Sequence, residues 1–124
     1  MTGLRQFGDA IGGGANDMTA VLEPARAMFR GLIVERIMAF EAYRKLVQHG
    51  DHPQDHMAKI AEIAHKISGV AATLGFFRTG QLAAVLDRAI SDTPAKCAEP
   101  AYFQLIVDPM LEALLVEMEA LLDD

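Results

Sequence analysis

The chain has 124 residues, a formal net charge of −6, 52% hydrophobic residues, 6% aromatic residues and one cysteine, Cys97. That length suits one domain with its own core, and the acidic balance excludes the clustered Lys and Arg of a nucleic-acid binder or of a protein held by an anionic membrane surface. A lone cysteine closes no internal disulfide, no apolar run approaches the ~18 residues that span a bilayer, and the N-terminus lacks the apolar stretch of a secretory signal, so the expectation is a soluble, cytoplasmic protein.

Residues 1–20 read as a flexible N-terminal arm broken at Gly12, Gly13 and Gly14. Within it, Leu4, Phe7 and Ile11 keep helical spacing and suggest a short docking helix. After Pro24, which suits a first helical turn, Phe29, Ile33, Ile37, Phe40, Tyr43 and Val47 recur at three- and four-residue intervals, predicting a long amphipathic helix stopped by Gly50. "DHPQ" restarts helix, with Asp51 as N-cap, Pro53 in the first turn and Gln54 three residues after the cap. Met57, Ile60, Ala64, Ile67, Ala71 and Leu74 then form a narrow bundle-type seam, and Gly75 ends the helix. A third helix from about Arg78 to Ile90 is expected to bury Leu82, Val85, Leu86 and Ala89. "SDTPAKCAEP" is a loop. From Pro100 a fourth helix turns Phe103, Ile106, Met110, Leu114, Met118 and Leu121 inward, with Pro109 predicting a kink or a late start. Met28, Met38, Met57, Met110 and Met118 read as core filler. No stretch alternates with period two. The prediction is all-α: an antiparallel up-down four-helix bundle over residues 21–124, preceded by the arm.

The chemistry concentrates in "AHKISGVAATLGFF", residues 64–77. His65 lies about 130° around its helix from the Ile60–Ala64–Ile67–Ala71 seam, so it should face outward. Its own stripe is Ala58, Ala61, Glu62, Ser68, Gly69 and Ala72, nearly all small. A glycine inside a helix costs about 0.5–1 kcal/mol relative to alanine; Gly69 removes the side chain that would block another protein from closing over the ring. His49, His52 and His56 crowd the first interhelical loop with Asp51 and Asp55. His52 and His56 have the i,i+4 spacing of a metal-chelating pair, but such loops are common and no metal site is assigned. "IGGGAND" lacks the Lys-Ser/Thr of a phosphate-binding loop and precedes no strand, which makes it a linker.

The stretch "AHKISGVAATLGFFRTGQLAAVLD" resembles the histidine phosphotransfer (Hpt) domain family. His65, Gly69, Gly75, Leu82, Leu86 and Asp87 fall at the family's intervals, over about residues 55–90; beyond these the likeness is one of helix pattern. The resemblance implies a four-helix bundle whose His65 accepts a phosphoryl group from one receiver-domain aspartate and passes it to another. It implies a phosphocarrier without nucleotide site, kinase activity or cofactor of its own, magnesium being brought by the partner receiver. It also implies receiver domains and a hybrid histidine kinase as partners, and we expect a monomer. A neutral imidazole is a competent nucleophile near pH 7, because histidine ordinarily titrates near pH 6.5. Asp87 is the candidate acceptor for His65 Nδ1–H, against the alternative of a solvated neighbour of Arg88. One departure stands out: the family's lysine three residues after the histidine is Ser68 here, and serine supplies no point charge. Lys66, Arg78 and Arg88 are the candidates to replace it, with Ser68 and Gly69 as further phosphate or docking contacts. The departure leaves open a second reading, a non-transferring Hpt-like module that sequesters or inhibits a kinase or receiver. A third, a structural bundle that self-associates through a Met-rich face, stays beside them.

Overall fold

The computed structural model describes residues 14–123, with side chains from Ala20 onward. Helix α1 spans Gly14–Gln48, α2 spans Pro53–Thr73 and α3 spans Phe77–Ser91. A 3-10 turn, Pro94–Ala98, leads into α4, residues 100–122. The four helices form a bundle, and no strand occurs among the described residues. Tyr43 lies beside His56 at one end of the α1–α2 pair and Phe29 stacks on Phe76 at the other, so these helices run in opposite directions. His65 meets Asp87 while the backbone of Ser68 and Ala72 meets Gly80, so α2 and α3 also oppose one another. Arg44 ties α1 to Asp108 and Glu112 of α4. No described helix is long and apolar enough to cross a membrane.

The six expected seam residues of α2, Met57, Ile60, Ala64, Ile67, Ala71 and Leu74, are all buried; Ala61, expected on the outward stripe of His65, is buried as well, so the inward face is wider than a narrow seam. On α1, Phe29, Ile33, Phe40 and Val47 are buried, and Ile37 and Tyr43 pack partly against them. Burying each large aliphatic or aromatic side chain stabilises the fold by about 1.5–3 kcal/mol relative to leaving it in water. Gly75, at φ 88, closes α2 in the left-handed conformation glycine favours. Its N–H bonds to Ala72, the Phe76 N–H to Ala71, and Arg26 Nε donates to the Leu74 carbonyl at 2.7 Å.

Several expectations are corrected. On α3 the inward stripe is Thr79, Gly80, Ala83, Leu86 and Ile90; Val85 is exposed, and Leu82 and Ala89 are half-buried. Small residues win the inward face because they let α3 close on the α2 backbone. On α4, Pro109 has no N–H and its ring crowds the carbonyl four residues back. The ladder relaxes into a π turn, Phe103–Val107, in which the Asp108 N–H reaches Phe103. The wider turn brings Val107 inward in place of Ile106, and Leu111, Leu114, Leu115, Met118 and Leu121 follow, with Met110 half-buried. Pro24 sits inside α1, not in a first turn, and α1 already includes residues 14–20 of the expected arm. The docking helix suggested by Leu4, Phe7 and Ile11 lies outside the described residues. Asp51 is not the N-cap of α2: His52 holds that position at φ 42, and its Nδ1 bonds the Asp51 carboxylate. Met28 and Met38 are exposed, whereas Met57 and Met118 are core.

Candidate functional site

With the α2 seam turned inward, His65 is carried out to the solvent, its side chain 77% exposed. Its Nδ1 lies 3.0 Å from Asp87 Oδ2 on α3. The other oxygen, Asp87 Oδ1, accepts the Ser91 hydroxyl at 2.8 Å, one turn further along α3. An ionised carboxylate only accepts hydrogen bonds, so the Nδ1 contact places the ring proton on Nδ1 and leaves the lone pair on Nε2. Asp87 was expected at this position. Ser91 was not; its signal was the i,i+4 spacing from Asp87, hidden because the helix was read as ending at Ile90.

His65 stands on a ridge between two grooves. The larger, about 640 Å³, runs between α2, α3 and the 3-10 turn, over Ala58, Ala61, Ile90 and Cys97, with Lys66 and Arg88 among its walls. The shallower, about 390 Å³, follows α2 through Lys66, Gly69, Val70 and Thr73. A Cβ on Gly69 would meet nothing within 4 Å, so packing inside this chain does not require glycine there. Gly80 is the reverse case, and it escaped the sequence reading. A Cβ there would sit 3.3 Å from the Ala72 nitrogen and 3.4 Å from the Ser68 carbonyl oxygen. Glycine at that point lets α3 close on α2 within reach of His65.

The proposed phosphate contacts separate clearly. Lys66 lies beside both grooves, its ammonium 3.9 Å from Glu62. Arg88 lines the larger groove and makes no ion pair among the described residues. Ser68 turns its hydroxyl back to the His65 carbonyl at 2.8 Å. Arg78 does not join them: it pairs with Glu117 of α4 at 3.8 Å and lines neither groove. Ten positions separate it from Arg88, about 15 Å along the helix axis.

The loop histidines serve a different purpose. His52 Nδ1 lies 2.6 Å from the Asp51 carboxylate and His56 Nδ1 lies 2.6 Å from the Asp51 carbonyl. The Asp51 hydrogen bond, and then its charge, push the His52 pKa upward. No group of three or more His, Cys, Asp or Glu side chains among the described residues could hold a metal ion. Burial pushes the Cys97 thiol pKa upward.

A sequence model described as the Hpt domain matches residues 25–124, most of α1 and the whole of α2, α3 and α4. No curated protein and no solved structure matches the chain.

Proposed function

Because the chain belongs to the Hpt domain family, we propose that His65 accepts a phosphoryl group from the aspartyl phosphate of one receiver domain and yields it to the aspartate of another. Histidine phosphotransfer within phosphorelays, in contact with receiver domains and kinases, is the business of the family. The observation that carries the residue-level reading is the His65 ring itself: exposed, its Nδ1 tied to a carboxylate and its Nε2 free.

The chemistry balances on that arrangement. The Nε2 lone pair attacks phosphorus, an N–P bond forms, and the P–O bond to the donor breaks, leaving the donor aspartate as a carboxylate. No proton has to leave the ring, because Nδ1 keeps its hydrogen. The imidazole therefore becomes a cation as it takes the phosphoryl group, and Asp87, hydrogen-bonded to Nδ1–H, stabilises the charge where it develops. Ser91 holds the second carboxylate oxygen and limits how far Asp87 can rotate away. Return of the group to an acceptor aspartate reverses these steps. In this reading magnesium belongs to the receiver, where it neutralises the oxygens around the transferring phosphorus. The chain works as a cytoplasmic monomer that offers one ridge to successive partners.

Ser68 favours a second reading, the non-transferring module that sequesters or inhibits a kinase or receiver, since its hydroxyl is engaged by the His65 carbonyl and brings no charge. One experiment separates the two. The protein is incubated with a phosphorylated receiver, and transfer gives an acid-labile, alkali-stable label that is absent from His65→Gln. Tight receiver binding with no label on the wild-type chain would select sequestration.

A further inference from the structure

We infer that Lys66 and Arg88, one from each helix holding the His65–Asp87 pair, jointly supply the positive charge that meets the phosphoryl oxygens, replacing the family's lysine where this chain has Ser68. The inference rests on His65 being the phosphoacceptor.

Phosphoryl transfer depends largely on placement and on neutralising charge at the oxygens around phosphorus. Asp87 cannot contribute to that: its negative charge serves the ring. Ser68 is neutral and its proton is directed to the His65 carbonyl. Arg78 stands down the other end of α3 and lines neither groove beside His65. Lys66 and Arg88 remain, and their placement is paired. Each directly follows, on its own helix, one of the two residues that make the His65–Asp87 hydrogen bond. Both line the groove that His65 borders.

Neither cation is committed elsewhere. Lys66 and Glu62 are 3.9 Å apart with both side chains mostly exposed, and an exposed pair of this kind holds only weakly. A phosphoryl group on Nε2 carries more charge than Glu62 and competes for the ammonium. Arg88 makes no ion pair among the described residues, and its planar fork can take two phosphoryl oxygens at once while Lys66 acts as a point charge. The long stems of both side chains allow their charged ends to turn toward Nε2 while the backbone stays in place. Ser68 is thus compatible with transfer, because the charge has moved to either side of the ring.

The test uses two donors: a phosphorylated receiver, and phosphoramidate, which needs no docking surface. The inference expects Lys66→Ala and Arg88→Ala each to slow labelling of His65 by both donors, and the double variant to slow it by about 100-fold. Lys59→Ala, an equal charge change at an exposed position outside both grooves, should label at the wild-type rate. Adding Ser68→Lys to the double variant should restore a large part of the rate, which also shows that the double variant is folded. Wild-type labelling rates in the double variant overturn the inference. So does a loss seen with the receiver but not with phosphoramidate, since the cations would then serve docking alone. No label on the wild-type chain from either donor overturns the phosphoacceptor reading itself and, with it, this one.

Discussion

On the α1–α4 side of the bundle, Arg44 donates to Asp108 at 2.6 Å and to Glu112 at 2.9 Å, touches Glu41 as well, and has a side chain only 18% exposed. On the α2–α3 side, His65 is 77% exposed and, among the described residues, makes one side-chain hydrogen bond and stands among two cations with weak or no partners. Both clusters place a basic group against an aspartate of a neighbouring helix. The Arg44 cluster is committed to its own carboxylates: the Asp108 hydrogen bond, with Glu112 behind it, drives the guanidinium pKa upward against partial burial. At His65 one ring nitrogen is satisfied and the other is held out to solvent. The contrast separates a charge that fastens two helices from one that is positioned for an incoming group.

Asp87 gives the hardest test of that contrast. Removing the carboxylate that orients a metal-bound histidine typically costs 10- to 100-fold in function; by analogy Asp87→Ala should slow phosphotransfer by about that factor while the helical content stays intact. Ser91→Ala, which leaves the carboxylate in place but unbraced, should have the same direction and a smaller effect. Transfer by Asp87→Ala at the wild-type rate would mean that the His65 cluster is no more poised than the Arg44 one.

Stability should answer in the opposite pattern. Arg44→Ala strands the half-buried Asp108 carboxylate and is expected to cost about 1–3 kcal/mol in denaturant unfolding, with His65 labelling unchanged. Gly80→Ala should cost about 1–3 kcal/mol, because its methyl would meet α2 backbone at 3.3 Å and the two helices would have to part by a few tenths of an ångström. It should slow transfer as well, since prising α3 from α2 lengthens the Asp87–His65 bond. A loss of stability confined to Gly80→Ala, with Arg44→Ala neutral, would show the Arg44 network to be ornament on the surface.

How far all this could be read in advance follows from which forces act locally. The α2 seam was legible apart from Ala61, because six apolar positions recur at three- and four-residue intervals, and His65 facing outward follows from the same geometry. Asp87 reached the site through family likeness, since spacing along one helix says nothing of what lies across on another. Ser91 was missed because it lies one residue beyond the expected end of α3 at Ile90, and Gly80 because it acts through the α2–α3 packing, where a methyl group more or less decides the distance. Val85 and Ile106 were placed inward by hydrophobicity and spacing. A stripe of small residues claims the first face, and the π turn before Pro109 shifts the register at the second.

Gly69 sharpens the comparison by reversing the usual link between stability and function. Among the described residues nothing outside its own helix backbone lies within 4 Å of a Cβ at this position, so Gly69→Ala should stabilise α2 by about 0.5–1 kcal/mol. If the bare backbone serves a partner, the same variant should slow labelling by a phosphorylated receiver while leaving labelling by phosphoramidate alone. A variant more stable and equally fast with both donors would leave Gly69 without a role on this face.

The smallest effect belongs to His52, at the far end of α2, where an exposed histidine is paired, among the described residues, only with its neighbour Asp51. Its hydrogen bond to Asp51, the charge of Asp51 and the more distant Asp55 raise its pKa in the folded chain above the ordinary 6.5. A raised folded pKa means that protonation favours the folded state. The contribution is therefore complete below about pH 6.5 and is lost as pH climbs through the higher folded value. His52→Asn keeps a side chain that tolerates the left-handed backbone at φ 42 and removes the titration. The wild-type denaturation midpoint should fall slightly across that window relative to the variant, and added salt should shrink the difference, because the group is fully exposed. An equal slope in both proteins would assign the pH dependence to other groups. His65 labelling, measured alongside, should be the same in the two proteins, since His52 lines neither groove beside His65.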